Sequence, residues 1–441
     1  MAFLDRTFRL QERGTSVQTE VLAGATTFLT MAYIVLVNPS ILSQAGMPGA
    51  AVAAATCLAA GVGCILMGLL ANYPIALAPG MGLNAYFTFT VVKTMGVPWQ
   101  TALGLVFISG VLFLILTAAG VRQMIVGAIP RALFSAIAAG IGVFIAFIGL
   151  KEAGLITANP GTTVGMGDPH NPTAILALVG LAIIAVLEVW KVKGGILIGI
   201  VLTAIIGWVL HLAQWTPQPY SVAEMTATAL QLDIPAALGI GGKGFGLALL
   251  EILFVFLFVD LFDNVGTLVA VTKRAGLVQP DGTIPRLNRI LFADATATVV
   301  GSMAGTSTVV SYIESAAGVS AGGRTGLTAV VTGLLFLATL LVAPWAQAIP
   351  AAATAPALIL VGGMMMAPLA EIDWGDPVIA IPAFLTLVTI PLSFSIANGL
   401  AFGIVAYALL KLVSRRAVKA DWLLYVLAAL FIARFAYMAN A

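Results

Sequence analysis

The sequence predicts an all-α polytopic membrane protein, and three observations carry that prediction. Only 9% of its residues are charged and 61% are hydrophobic, whereas a soluble domain carries about 25% charged residues. Apolar stretches of the roughly 20 residues needed to cross a bilayer recur from end to end, as continuous runs rather than the short alternations of a transmembrane barrel. The third observation is the placement of Lys and Arg, which shows once the spans are set in order.

Apolar runs fall at 21–41, 50–71, 74–93, 99–120, 129–150, 172–190 and 194–212, and then at 245–271, 288–303, 305–321, 325–343, 353–370, 377–396 and 397–413. A polar, proline-containing stretch from Gln214 to Lys243 separates the two sets. A short apolar tail, Trp422 to Tyr437, suits a helix lying in the interface. With the N-terminus inside, sixteen of the twenty Lys and Arg residues fall in cytoplasmic segments, from Arg6, Arg9 and Arg13 through Arg122 to Lys411, Arg415, Arg416 and Lys419. Only Lys93, Lys151 and Lys243 face outside, and Arg434 lies in the tail. This bias obeys the positive-inside rule and predicts a multi-pass cell-membrane protein with both ends cytoplasmic. The charged N-terminus does not read as a cleavable signal. Cys57 and Cys64 read as small packing residues, not as a disulfide or metal pair.

The two sets of seven spans echo each other. Gly167-Asp168-Pro169 and Gly375-Asp376-Pro377 each precede an apolar pair of helices, and Gly194 to Val201 matches Asn398 to Val405. Ile129-Pro130 and Ile349-Pro350 open corresponding helices. Odd-numbered repeats must insert in opposite senses, giving a 7+7 inverted repeat, the architecture of many secondary transporters. The third and tenth spans should then correspond, and both are irregular. Asn72 to Phe87 (NYPIALAPGMGLNAYF) holds prolines and glycines that a continuous helix does not tolerate, and Gly305 to Gly318 (GTSTVVSYIESAAG) is rich in Thr, Ser and Val. Each reads as a short extended stretch leading into a half-helix, with Asn84 one turn into the first and Glu314 near the start of the second.

The eighth span carries two acids in an aromatic run, Asp260 and Asp263 in FVFLFVDLFDNV. A charge at the centre of a membrane helix costs roughly 2.5–3.5 kcal/mol on insertion scales. Three carboxyls on two such segments therefore mark a functional site.

The motifs APGMGLNAYF (Ala78 to Phe87), FVDLFDNVGTL (Phe258 to Leu268) and GTSTVVSYIESAAGVSAGGRTGLTAV (Gly305 to Val330) resemble the xanthine/uracil permease family. The branch to which they are most similar is that of the AzgA-like adenine, guanine and hypoxanthine permeases, as is TEVLAGATTFLTMAYIVLVNPSIL (Thr19 to Leu42). The resemblance covers nearly the whole chain. It implies a core domain of spans 1–4 and 8–11 (21–120 and 245–343) and a gate domain of spans 5–7 and 12–14 (121–213 and 344–413), with short strands in spans 3 and 10. The remaining segments are a cytoplasmic N-terminus at 1–20, an outer loop at 214–244 and the tail at 414–441. Carried over by residue, the substrate-binding positions are Asp260, Glu314 and Asn84, with Asp263 as the second acid of span 8; Asn264, Thr306 and Ser307 are expected to support them. Asn264 departs from the threonine common there.

A purine base is planar and neutral, with adjacent donors and acceptors on its edges. Carboxylates can accept its N–H groups, and Asn84 offers one donor and one acceptor group. Burial favours the protonated form of a carboxyl, so Glu314 or Asp260 could also carry a coupling proton, and no cofactor is needed. The expectation is a proton-coupled purine permease with lipid around it and no nucleic-acid partner. A homodimer is an option, since dimers are common in related families. Blander readings stay open: Asp260 could brace broken helices, Asp263 could position a neighbour, and Asn84 could be a helix cap. Asp294 is expected to pair with bases near Arg289, Asp168 and Asp376 to act as turn and cap residues, and Tyr86, Phe87 and Tyr312 to pack. A uracil or xanthine carrier of the same fold is the nearest alternative and a passive channel a further one. No nucleophile or metal constellation supports an enzyme.

Overall fold

The computed structural model describes residues 2–120, 131–212, 221–240, 246–279, 283–418 and 421–438. Arg122, Ile129, Pro130, Lys243 and Lys419, used above for topology and repeat matching, lie outside the described residues. The described chain is mostly helical. Eight of its helices are long and apolar enough to cross a membrane, and four more apolar helices are shorter.

In chain order, the first span divides into α1 (Val17–Met31) and α2 (Ile34–Leu42), followed by α3 (Gly49–Leu66). The third comprises β1 (Leu77–Pro79), α4 (Met81–Ala85) and a wider π-helical stretch, Tyr86–Thr94. Next come α5 (Trp99–Ala118) and α6 (Arg131–Glu152). A hairpin of β2 (Ile156–Asn159) and β3 (Thr163–Met166), not anticipated from sequence, leads to α7 (Pro172–Val189) and α8 (Gly195–Val209). The second half contains α9 (Leu247–Arg274), α10 (Leu287–Ala304), β4 (Val309–Ser311) and the short α11 (Ser315–Ser320). It continues with α12 (Gly326–Thr339), α13 (Ala351–Met364), α14 (Pro377–Leu392), α15 (Ile396–Val413) and α16 (Trp422–Met438).

Local chemistry sets several of these starts. Asn171 accepts the Thr173 N–H ahead of Pro172, and Asp376 accepts the Val378 N–H ahead of Pro377. Both are N-caps followed by a proline at the first helical position, where its missing N–H costs nothing. Asp168 is a turn residue accepting the His170 N–H, so the cap of α7 is Asn171 and not Asp168.

The helices pack in two groups. In one, α12 lies against α1 and α3, and α10 against α3 and α5; in the other, α6 and α7 lie against α13, and α14 joins α6 to α15. Each group has backbones in near contact at glycine, where packing between membrane helices gains from small residues. A Cβ on Gly326 would sit 2.1 Å from the Gly68 carbonyl oxygen, and one on Gly362 would sit 2.3 Å from that of Gly142. The acid-bearing α9 touches members of both groups, including α5, α6, α11 and α15.

α16, in the tail, runs antiparallel along α15. Lys411 pairs with Asp421 at 2.7 Å at one end, and Phe402 meets Phe435 at 5.5 Å between centroids toward the other. There Arg434 reaches Glu251 at the start of α9 and Asn398 at the start of α15. Leu424, Leu427, Ala428 and Phe431 are buried, and Phe431 packs edge-on to Phe254 of α9. α9 and α15 leave an apolar seam for α16, and Glu251 supplies a partner for Arg434, the one charge within that helix.

Candidate functional site

The middle of the molecule is built on β1 and β4, which pair antiparallel with Leu77 opposite Ser311, Ala78 opposite Val310 and Pro79 opposite Val309. Each strand is held by a side chain of the helix before it. Cys64 Sγ accepts the Leu77 N–H at 3.1 Å and donates to the Leu77 carbonyl at 3.3 Å. Thr298 Oγ1 does the same for Val309, accepting at 3.2 Å and donating at 3.0 Å. Pairing extends past the strands through Gly80 N–H to the Thr308 carbonyl and Tyr312 N–H to the Ala76 carbonyl. Buried backbone inside a membrane protein needs such partners, and two facing half-helices can then start from the strand ends.

Asp260, Asp263, Asp294 and Glu314, from spans 8 to 10, have different surroundings. On sequence grounds Asp260 ranks above Asp263, but the order of accessibility is the reverse. Asp260 is fully buried, and its Oδ1 accepts from Asn264 Nδ2 at 2.6 Å. Asp263, three residues on and therefore around the same helix, is half-buried. So is Glu314, at the residue preceding α11. Asp294 and Glu314 both lie close enough to Asp263 to act on its carboxyl electrostatically. Asp294 does not pair with Arg289. It is fully buried and accepts from the same Asn264 Nδ2 at 2.9 Å.

Asn264 thus joins two buried carboxyls of spans 8 and 9, and its Oδ1 accepts the Ser311 N–H of β4 at 2.8 Å. Threonine, with one hydroxyl, could not donate to two acids and accept from the strand at once. Asn264 therefore carries a structural task.

Asn84 is not a helix cap: α4 begins after Gly80, and Asn84 lies within it. Its Nδ2 donates to Asn38 Oδ1 at 2.5 Å, while Asn38 Nδ2 donates to Thr306 Oγ1 at 2.9 Å and Thr56 Oγ1 at 2.7 Å. With that donor engaged, the buried Asn84 Oδ1 and the buried hydroxyl of Ser307 have no hydrogen-bond partner among the described residues. The Tyr312 hydroxyl is tied to the Pro79 carbonyl at 2.5 Å. Tyr86 packs edge-on to Phe256.

Two residues escaped notice in the sequence, and both belong to span 1. Asn38 is the hub just described, and Tyr33 donates its hydroxyl to Glu314 Oε1 at 2.6 Å. The signal that could have found them is a polar residue recurring at Tyr33 and Asn38 in an otherwise apolar run, including a Pro39 that breaks its regularity.

Comparison with known proteins now bears on this arrangement. The xanthine/uracil permease model, described as a permease family, matches residues 18–424. A Methanocaldococcus jannaschii protein whose name carries no substrate is 50% identical over 441 residues, covering 100% of both chains. The adenine permease AdeP of Escherichia coli is 44% identical over 99% of this chain and 96% of its own. The guanine/hypoxanthine permease PbuG of Bacillus subtilis is 44% identical over 98% and 99%. Among solved structures, the transmembrane domain of a cyanobacterium bicarbonate transporter, BicA, superposes with a TM-score of 0.66 at 18% identity, covering 86% of this chain and 97% of that one. That likeness speaks for the fold alone. A helical membrane protein with paired strands in two broken spans, matched over nearly its full length by permeases, belongs to the xanthine/uracil permease family.

Proposed function

We propose that this chain imports purine nucleobases (adenine, guanine or hypoxanthine) across the cell membrane by proton symport. The carrying observation is that Asp263 and Glu314 are both half-buried and lie within electrostatic reach of each other where spans 8 and 10 meet the paired strands. A planar base set between them would give N–H groups to both acids, and the Asn84 Oδ1 would accept from a third edge position. A proton on one acid relieves the repulsion as the site closes. Asp260 then acts from behind, through Asn264, as the acid that holds span 8 against β4.

The reading includes a fourteen-span, 7+7 inverted-repeat frame with moving core and gate domains. It is supported by the mirrored props, Cys64 on Leu77 and Thr298 on Val309, which fall on repeat-equivalent spans 2 and 9. It is also supported by the two packing groups, with α9 at their seam.

The test is uptake of radiolabelled adenine, guanine, hypoxanthine, xanthine and uracil into cells lacking their own purine carriers, with and without a protonophore. Purine accumulation that collapses with the protonophore is expected. Equal uptake with and without it would remove the proton, and absence of any purine uptake would sink the proposal.

A further inference from the structure

Glu314 stands where a helix N-cap would, yet its side chain makes no capping bond to α11. It reaches across to span 1 instead, where Oε1 takes the hydroxyl hydrogen of Tyr33 at 2.6 Å. No second side-chain partner of this carboxylate occurs among the described residues. Tyr33 is itself fully buried, so its hydroxyl has no water to turn to.

The backbone around Tyr33 shows how this contact is made. Span 1 is interrupted between Met31 and Ile34 without any proline or glycine. Across the break the bonds tighten to three-residue spacing, with the Val35 N–H on the Ala32 carbonyl and the Leu36 N–H on the Tyr33 carbonyl. A short 3₁₀ segment of this kind rotates the following helix relative to the preceding one. It lets span 1 present Tyr33 to span 10 and, five residues later, Asn38 to Asn84 and Thr306.

A glutamate side chain has three rotatable bonds, and fixing them costs conformational entropy. A charge-assisted bond from a buried phenol fixes them before any ligand arrives. It also occupies one of the two carboxylate oxygens. We propose that Tyr33 is a positioning residue for substrate recognition. By holding Oε1 it leaves Oε2 as the one oxygen that Glu314 presents, so that this acid accepts a single N–H from one edge of a planar heterocycle. Asp263, on span 8, reads another position of the same ligand. Affinity then depends on Tyr33 only through Glu314. The inference rests on the reading above that Glu314 contacts substrate.

The test is a double-substitution cycle measured as purine uptake kinetics at matched membrane expression. Tyr33→Phe keeps the ring and its packing and removes the donor. It should raise KM roughly tenfold, the scale of one charge-assisted hydrogen bond, while the maximal rate stays within about twofold. Glu314→Asp withdraws the carboxyl by one methylene, out of reach of the phenol. In that background Tyr33→Phe should change KM no further, because interacting residues fail to add. The same cycle read as purine-induced thermal stabilisation of the purified proteins serves for any variant of low expression. An unchanged KM in Tyr33→Phe, or the same factor in both backgrounds, would overturn the inference and leave Tyr33 as packing. Wild-type uptake by Glu314→Asp and Glu314→Gln would instead overturn the reading of Glu314 itself.

Discussion

Two glutamates of this chain sit deep among membrane helices and have opposite surroundings. Glu20, near the start of α1, is fully buried and saturated. Its Oε1 accepts the Arg324 N–H at 2.8 Å, and its Oε2 accepts the N–H groups of Thr325 and Thr328 at 3.2 Å and the Thr328 hydroxyl at 2.6 Å. It satisfies the exposed end of α12 and meets the positive pole of that helix. Glu314 has one side-chain donor, Tyr33, and remains half-open. Depth does not separate the two. The number of donors the protein itself supplies does, because a carboxylate already full of protein hydrogen bonds has nothing left to offer a ligand.

The sharpest way to break this comparison is to neutralise each acid. Glu314→Gln should abolish purine uptake while thermal stability and membrane expression stay at wild-type levels; retained uptake would end the contrast. Glu20→Ala should do the reverse. It orphans several buried donors at about 1–3 kcal/mol each, so a loss of about 4 kcal/mol is expected, read as a fall in Tm of the purified protein, and an unchanged Tm would refute it. Asp260 and Asp263 of α9 repeat the contrast on a smaller scale. Asp263→Asn should raise the purine KM by roughly 10- to 100-fold through loss of a charged hydrogen bond. Asp260→Asn should act mainly on Tm, since it touches Asn264 and not the open side; a larger KM effect at Asp260 would restore the order expected from sequence.

Ion pairs at the edges extend the comparison to weaker effects. Arg434 and Glu251 each keep 15% side-chain exposure. Arg434→Ala should therefore cost about 1.5 kcal/mol, less than the ~3–5 kcal/mol of a fully buried pair. It should also make α16 the first segment lost in limited proteolysis. The smallest effect concerns Asp376, which caps α14 and is bonded by Arg416. The Arg416 hydrogen bond holds its carboxyl below the usual carboxylate range. A lowered value means the contribution is present at neutral pH and is lost as pH falls through that lowered value. Asp376→Asn should thus lower Tm slightly at neutral pH and not at all in acid, and a pH-independent difference would contradict the assignment.

Much of the fold is legible because bilayer physics is one-dimensional. Span length, basic residues and the prolines of Asn72 to Phe87 all act locally, so the broken third span and its partner could be marked without coordinates. The strands at Leu77–Pro79 and Val309–Ser311 fell inside the stretches so marked. The hairpin at Ile156–Asn159 was missed because its residues alternate too briefly to stand out, and the packing of α16 against α9 because Arg434 finds its partner 183 residues away.

The site divides in the same way. That acids in spans 8 and 10 mark it followed from composition, since charge in an apolar helix is costly wherever it points. Which acid faces the open side did not follow. Asp260 and Asp263 are one helical turn apart, and both read as inward until the positions of Asn264, Asp294 and Ser311 are known. Tyr33 and Asn38 lie within apolar surroundings and become site residues only through partners 281 and 46 residues distant. The chain's letters determined the membrane class, the order of spans and the presence of the acids, because those depend on transfer free energy summed along a segment. Tertiary structure decided the facing of each acid and the role of span 1, because hydrogen-bond partnership depends on directions set by distant helices.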